Sequence, residues 1–332
     1  MNALGEHFDQ IDVITMHKGR LALRDNICVY SVGGELGYSK IKKARNFYIL
    51  LIKILNEKRI DGCFTHMAVW FMLIGGPLLM LKRIPRVTWY AHSVLNPVML
   101  GAYVLSNAIV TASQDSFRIN SRKVHVTGHG IDTNHYSRKF AGGAPVFTIG
   151  SVGRISRVKN YEVLFHAIKL LKDDGFESFQ VKLYGNIQTK DDRYYSKHLE
   201  SLINELNIDE KVQFLGSLTS GQVPEIVPTF DVFVNMLSRG GAGKAVLEAM
   251  SMEVPTIICT PAFDSDLSQR DRNLLLFRPD DPASLKSKLM DMMQLSFDKR
   301  DQIGKRLRKM VMARHSLDRL PLKIKQLIQR AG

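Results

Sequence analysis

Two stretches of this 332-residue chain concentrate residues suited to holding a phosphorylated ligand. The first runs from Gly150 to Asn160 and reads GSVGRISRVKN. Its small residues let the backbone turn sharply, while Arg154 and Lys159 project just before a helix expected to start near Asn160. Arg offers a planar fork of donors and Lys a compact point charge, so the pair at a strand exit suits a diphosphate. A solvated basic loop would carry the same residues, and the spacing alone leaves both readings open.

The second stretch, Ser238 to Met250, reads SRGGAGKAVLEAM. A glycine-rich loop opening a helix exposes backbone N–H groups and the positive end of the helix dipole, which can cradle phosphates or a sugar. Glu248 falls inside that helix beside apolar Leu247, Ala249 and Met250. A carboxylate turned inward there could accept hydrogen bonds from ribose hydroxyls; turned outward it would be an ordinary surface glutamate.

The elements that must position these residues follow a regular alternation. Strands are expected at 11–16, 27–32, 62–65, 87–91 and 109–112. A second series is expected at 147–152, 180–184, 212–215, 232–235, 256–259 and 274–277. Helical stretches separate them, as in 40–57, where Ile41, Ala44, Tyr48, Leu51, Ile52 and Leu55 recur at helical spacing. Such alternation predicts parallel sheets with helices on both faces, an α/β doubly wound architecture. The stretch SRKFAGGAP at 137–145 breaks the pattern with glycines and a proline and reads as a linker. Ligands of open parallel sheets bind beyond the carboxyl ends of the strands, where both stretches lie.

Composition sets outer bounds. The length suits two domains. No basic start or apolar run marks a signal peptide, which predicts a cytoplasmic protein. The longest apolar run, 67–81, is 15 residues and contains Gly75-Gly76-Pro77, short of the roughly 20 residues of a membrane span, so a buried helix broken near its middle is expected. Cys28, Cys63 and Cys259 are far apart and read as buried thiols in a reducing compartment. No metal site is visible. The net charge of +14 is uneven: residues 1–140 hold 18 Lys and Arg against 9 acids, 141–298 hold 17 against 21, and 299–332 hold 11 against 2. A basic region can serve an anionic membrane, a phosphorylated acceptor or nucleic acid. No zinc-finger or RNP1 motif supports nucleic acid.

The segments GRISRVKNYEVLFHAI, VQFLGSL, AVLEAMSMEVPTI and NLLLFRPDDPASL, with VTGHGIDTNHY before the linker, occur in an order and spacing that resembles the GT-B glycosyltransferases of family 4. The resemblance implies two Rossmann-like domains facing across a cleft: residues 1–136 on the acceptor side, 137–316 binding the nucleotide sugar, and 317–332 a helix returning to the first domain. The basic tail and the basic first region would then share one lobe, fit for an anionic membrane surface. It implies a retaining, hexosyltransferase-like enzyme that uses a nucleotide-sugar donor and requires neither metal nor other cofactor. The acceptor would be a glycan, a lipid or a small molecule, and the protein would be peripheral at the inner membrane face. By the same resemblance Arg154 and Lys159, with Gly153 beside them, neutralise the donor diphosphate. Glu248 binds ribose, and Gly241, Ala242, Gly243 and Lys244 touch the donor. Gly185, Phe214 and Leu215 shape the base pocket. His92, in WYAHS after the strand 87–91, resembles the first-domain histidine facing the donor sugar, and closure of the domains would exclude water.

Two departures matter. The family's E-x7-E motif has Gly240 in place of its first glutamate, leaving Ser238 or Arg239 to meet the sugar. The family's opening strand and glycine loop also have no counterpart ahead of NALGEHFDQIDVIT, as if that unit were absent. Both departures keep open a degenerate protein that binds nucleotide sugar without efficient turnover. A nucleotide-sugar epimerase of similar fold is a further alternative.

Overall fold

A computed structural model describes all residues except 20, 21, 93, 139–145 and 239–242. The chain divides into two compact units, Met1–Gly128 with Leu317–Gly332 (unit 1) and His129–Ser316 (unit 2). Unit 1 runs α1 (Asn2–Gly5), β1 (Ile11–Thr15), β2 (Ile27–Ser31), α2 (Lys40–Glu57), β3 (Cys63–His66), α3 (Val69–Leu81), β4 (Arg86–Trp89), α4 (Pro97–Leu105), β5 (Ala108–Thr111) and β6 (Val124–Val126). Unit 2 opens with β7 (Phe147–Val152), α5 (Tyr161–Asp173), β8 (Phe179–Tyr184), α6 (Lys190–Glu205), β9 (Val212–Phe214) and α7 (Val223–Ile226). It continues with β10 (Val232–Asn235), α8 (Lys244–Ser251), β11 (Thr256–Ile258), α9 (Gln269–Leu275), α10 (Pro282–Gln294) and α11 (Phe297–Arg314). The last helix, α12 (Leu320–Ala331), belongs to unit 1.

In unit 2 the five strands are parallel in the order β11-β10-β7-β8-β9. The chain therefore lays β8 and β9 to one side of β7 and then turns back to place β10 and β11 on the other. That reversal, between β7 and β10, is the topological position at which an open parallel sheet has its ligand crevice, beyond the carboxyl ends of the strands. One core of buried side chains spans the unit, including Phe165 and Ile168 of α5, Phe233 of β10 and Leu247 of α8.

Unit 1 is less continuous. β1 and β2 pair in parallel, and β3-β4-β5-β6 form a separate parallel sheet. Alternation along β4 and β5 sends Val87, Trp89, Ala108 and Val110 to one face, where Ile324, Leu327 and Ile328 of α12 cover them. The opposite face packs Ile109 under Met72 of α3 with Met99 and Ala102 of α4. Helix α2 extends this layer, with the Phe47 ring stacked on Phe71 at 4.9 Å.

The structure changes several sequence expectations. The apolar run forms one unbroken helix, α3, with Pro77 inside it. A Cβ on Gly75 would meet the Phe47 ring at 2.9 Å and one on Gly76 would meet Leu105 at 3.0 Å, so packing against both neighbours overrides the local break. The strand expected at 274–277 is replaced by α9, capped by Ser268, whose hydroxyl accepts from Asp271 N–H. A single parallel bridge between Ile258 and Leu276 is what remains of it, because so short an apolar run does not separate strand from buried helix. The strand β6 was not expected. Residues 129–136 join unit 2 ahead of the expected linker, held by Ile131 N–H donating to the His315 carbonyl at 2.6 Å. Of the three cysteines only Cys259 is fully buried, and burial pushes its thiol up to about 12. Finally, α11 keeps most of the basic tail in unit 2, where Arg300, Arg306, Arg308 and Arg314 pair with Asp231, Asp271, Glu253 and Asp266.

Candidate functional site

At the end of β7 the chain stays beside the segment leaving β8: Gly153 N–H donates to Tyr184 O at 2.9 Å and Ile155 N–H to Asn186 O at 3.0 Å. A Cβ on Gly185 would stand 2.0 Å from the Gly153 carbonyl oxygen, so this approach requires glycine. A 3₁₀ turn, Arg157–Lys159, and Asn160 in the left-handed region (φ 52°) then swing the chain into α5. Asn160 is held there by donating to Asp280 Oδ1 at 2.6 Å.

This route aims two cations over one short loop. Lys159 folds back across Gly153, where an added Cβ would meet its Cε at 3.0 Å. The Arg154 guanidinium stays accessible, its Nε 3.9 Å from the buried Asp192 carboxylate. Asp192 is already engaged as the capping-box partner of Thr189 at the start of α6. Burial, and then the positive charge of Arg154, hold the Lys159 ammonium below the usual lysine range. No carboxylate lies within ion-pair distance of Lys159 among the described residues. A partly desolvated cation beside a second cation, with no anion of its own, is an arrangement that a phosphate group completes.

The strand ends next to this loop are tied together by Gly185 N–H donating to Gly216 O at 2.7 Å and Leu215 N–H to Leu183 O at 2.9 Å. Phe214 meets Phe165 edge-to-face at 6.3 Å, and both Phe214 and Leu215 leave apolar surface at the end of β9.

Across the crevice, Gly243 is the N-cap of α8 and Lys244 its exposed first residue, with no side chain capping the helix. The leading N–H groups of such a helix lack intrahelical acceptors and sit at its positive end. Gly241 and Ala242 lie outside the described residues, as do Arg239 and Gly240. Glu248, one turn after Lys244, is half-buried. Burial raises its carboxyl above the usual range, against the opposing pull of Lys244 and a hydrogen bond with Tyr136. The Tyr136 hydroxyl also lies 3.2 Å from Ser220 Oγ, and His135 Nε2 lies 3.1 Å from the Ser220 carbonyl. His135 and Tyr136 end the segment VTGHGIDTNHY, and neither is among the residues expected from the sequence to form the site. The signal available was two ring residues closing that segment.

His92 belongs to unit 1, whereas every other candidate belongs to unit 2. It is exposed after β4, and its Nδ1 accepts the Val94 N–H at 3.1 Å, which leaves Nε2–H as the neutral tautomer's donor. Tyr90 hydroxyl, donating to Val94 O at 2.7 Å, pins the same turn. Ser93 lies outside the described residues. No cluster of three or more metal-ligating side chains occurs among the described residues.

Residues 136–310 match the glycosyl transferases group 1 family. The chain is 31% identical over 276 residues to the glycosyltransferase EpsF of Bacillus subtilis (strain 168), covering 72% of this chain and 70% of that protein. Its fold is similar to that of sucrose-phosphate synthase from Thermosynechococcus elongatus, with a TM-score of 0.77 at 16% identity over 99% of this chain and 90% of that one. It is also similar to Anabaena HepE solved in complex with UDP, with a TM-score of 0.72 at 16% identity over 92% and 86% of the two chains.

Proposed function

Because the chain belongs to the glycosyl transferases group 1 family, we propose that it transfers a hexose from a nucleotide-sugar donor, with retention at the anomeric carbon, to a glycan or lipid acceptor. Its fold is GT-B, α/β with parallel sheets in two Rossmann-like units. The observation that carries the donor assignment is Lys159, half-buried beside Arg154 with no carboxylate within ion-pair distance among the described residues. In this reading Arg154 and Lys159 take the charge that develops on the departing diphosphate, aided by the free N–H groups at the start of α8. The bond from the anomeric carbon to the diphosphate oxygen breaks as the acceptor hydroxyl adds on the same face, and the hydroxyl proton goes to the leaving oxygen. Glu248 receives the ribose hydroxyls, Phe214 and Leu215 flank the base, and His92 is assigned to the transferred sugar. Charge compensation comes from these side chains, so the reading requires no metal, and the resemblance of the segments GRISRVKNYEVLFHAI, VQFLGSL and AVLEAMSMEVPTI supports membership of family 4.

A binder without efficient turnover is the second reading, favoured by Gly240 where the related enzymes carry a sugar-contacting glutamate. A thermal-shift screen of nucleotide sugars, followed by a transfer assay, separates the two. A true donor at 100 times its dissociation constant stabilises the fold by about 2.7 kcal/mol. If no nucleotide sugar or nucleoside diphosphate raises the midpoint, the donor site is wrongly assigned; a shift without transfer supports the second reading.

A further inference from the structure

The helices covering one face of the unit 1 sheet present an apolar outer surface to solvent. α2 and α3 lie side by side, joined by the Phe47–Phe71 stack and by Tyr48 hydroxyl donating to Ile74 O at 2.8 Å. α3 and α4 approach closely where Gly101 meets Leu73 and Gly76 meets Leu105. With their inner faces committed to the core, helical spacing brings Ile41 and Ile52 of α2, Trp70 and Leu81 of α3, and Leu100 and Val104 of α4 to the outside. The exposure is large: Ile41 84%, Leu81 83%, Val104 70% and Trp70 62%. Single exposed apolar residues are ordinary, but three adjacent helices each carrying such a stripe are a patch.

Charge accompanies the patch. Between Glu35 and Asp115 the only acids are Glu57 and Asp61. On α2, Lys42, Arg45 and Lys53 are exposed and have no carboxylate partner among the described residues, and Lys82 and Arg83 follow α3. No helix of the described residues is long and apolar enough to cross a membrane. A helix surface that mixes exposed apolar residues with unpaired cations suits the plane of a bilayer interface. A second copy of the chain fits less well, because it would set these cations against their own kind.

We propose that the outer face of α2, α3 and α4 docks unit 1 onto an anionic lipid bilayer, with the apolar stripes entering the headgroup boundary and the α2 cations meeting lipid phosphates. The assignment rests on unit 1 alone and is independent of the donor reading. It also differs from a lobe built jointly with the basic tail, since α12 packs on the opposite face of the sheet.

The full chain can be tested by cosedimentation with vesicles of phosphatidylcholine alone and of phosphatidylcholine mixed equally with phosphatidylglycerol. The chain has two tryptophans, and Trp89 is only 3% exposed, so a blue shift of emission on adding vesicles reports Trp70. Binding to the anionic vesicles, a blue shift lost in Trp70→Phe, and weakening as added salt shortens the screening length support the proposal. The double variants Ile52→Glu/Leu81→Glu and Lys42→Glu/Arg45→Glu should each bind about tenfold less, with unchanged thermal midpoints because all four side chains are exposed. Arg330→Glu on α12 should bind as the parent does. Equal binding to neutral and anionic vesicles at low salt overturns the proposal. So does a loss from Arg330→Glu as large as that from Lys42→Glu/Arg45→Glu, or light scattering that shows a dimer dissociated by Ile52→Glu/Leu81→Glu.

Discussion

Unit 2 and unit 1 handle positive charge in opposite ways. In unit 2, cations on one helix are answered by carboxylates of neighbouring elements: Arg300 meets Asp231 at 2.9 Å, Arg306 meets Asp271 at 2.7 Å and Arg314 meets Asp266 at 2.6 Å. Against that background Lys159 stands out. In unit 1 the acids are missing over long stretches, and Lys42, Arg45 and Lys53 stand in a row with no carboxylate partner among the described residues. Total charge therefore says little about either site. A partly buried cation beside a second cation marks a small anionic ligand, whereas a field of exposed cations over apolar surface marks an extended one.

The same contrast extends to packing. Unit 2 has one continuous sheet whose strand ends are sewn together by backbone hydrogen bonds at Gly153, Gly185 and Gly216, while unit 1 divides its strands between two sheets. The sharpest way to break the comparison is Gly185→Ala. Its methyl would press on the Gly153 carbonyl, a backbone atom with no side chain to move aside, at an expected cost of about 3 kcal/mol. Chemical denaturation followed by circular dichroism measures it. A variant as stable as the parent would mean that the β7 and β8 ends are not locked in the way described.

Removing the cations at that seam sharpens the comparison without disturbing the fold. Lys159→Ala and Arg154→Ala should each weaken UDP binding in calorimetry by about 1.5–3 kcal/mol, roughly 10- to 150-fold, at an unchanged thermal midpoint. The pH dependence follows from the lowered Lys159 ammonium. A diphosphate favours the charged form, so affinity should fall as pH rises through the lowered pKa, and Lys159→Arg, which stays charged, should lose that dependence. An identical pH profile in the parent and Lys159→Arg would remove Lys159 from the site.

The smallest expected effect separates the two sides of the crevice. Glu248→Gln should weaken UDP by about 1 kcal/mol and leave inorganic pyrophosphate unaffected, since the carboxylate is assigned to ribose and the cations to phosphate. Equal losses for both ligands would make Glu248 a scaffold for Tyr136 and Ser220 instead.

Much of this was legible in the sequence, for identifiable reasons. Arg154, Lys159 and Glu248 lie in contiguous segments next to strong strands and helices, so their placement depends on local pattern. The partners around them come from elsewhere: Asp192 from the start of α6, and Tyr136 from a segment that His135 and Tyr136 both bond to Ser220, 84 residues on from Tyr136. Only the strand order of unit 2 brings such groups together, and periodicity does not encode strand order. The misreading at 274–277 has a similar origin. Leu274 to Phe277 is as apolar as a buried strand, and its state was decided by the Ser268 cap and the Asp271–Arg306 pair.

The position of α12 has a consequence for how the chain is made. The chain leaves unit 1 after Gly128 and returns to it only at Leu317. Val87, Trp89 and Val110 await Ile324, Leu327 and Ile328, which are synthesised after all of unit 2. During translation unit 1 therefore waits with one face of its sheet uncovered, while unit 2 has every strand it needs once residue 316 has emerged. Unit 2 should be the first part of the nascent chain to resist proteolysis, and the final turns of α12 the clasp that ends the exposure of unit 1.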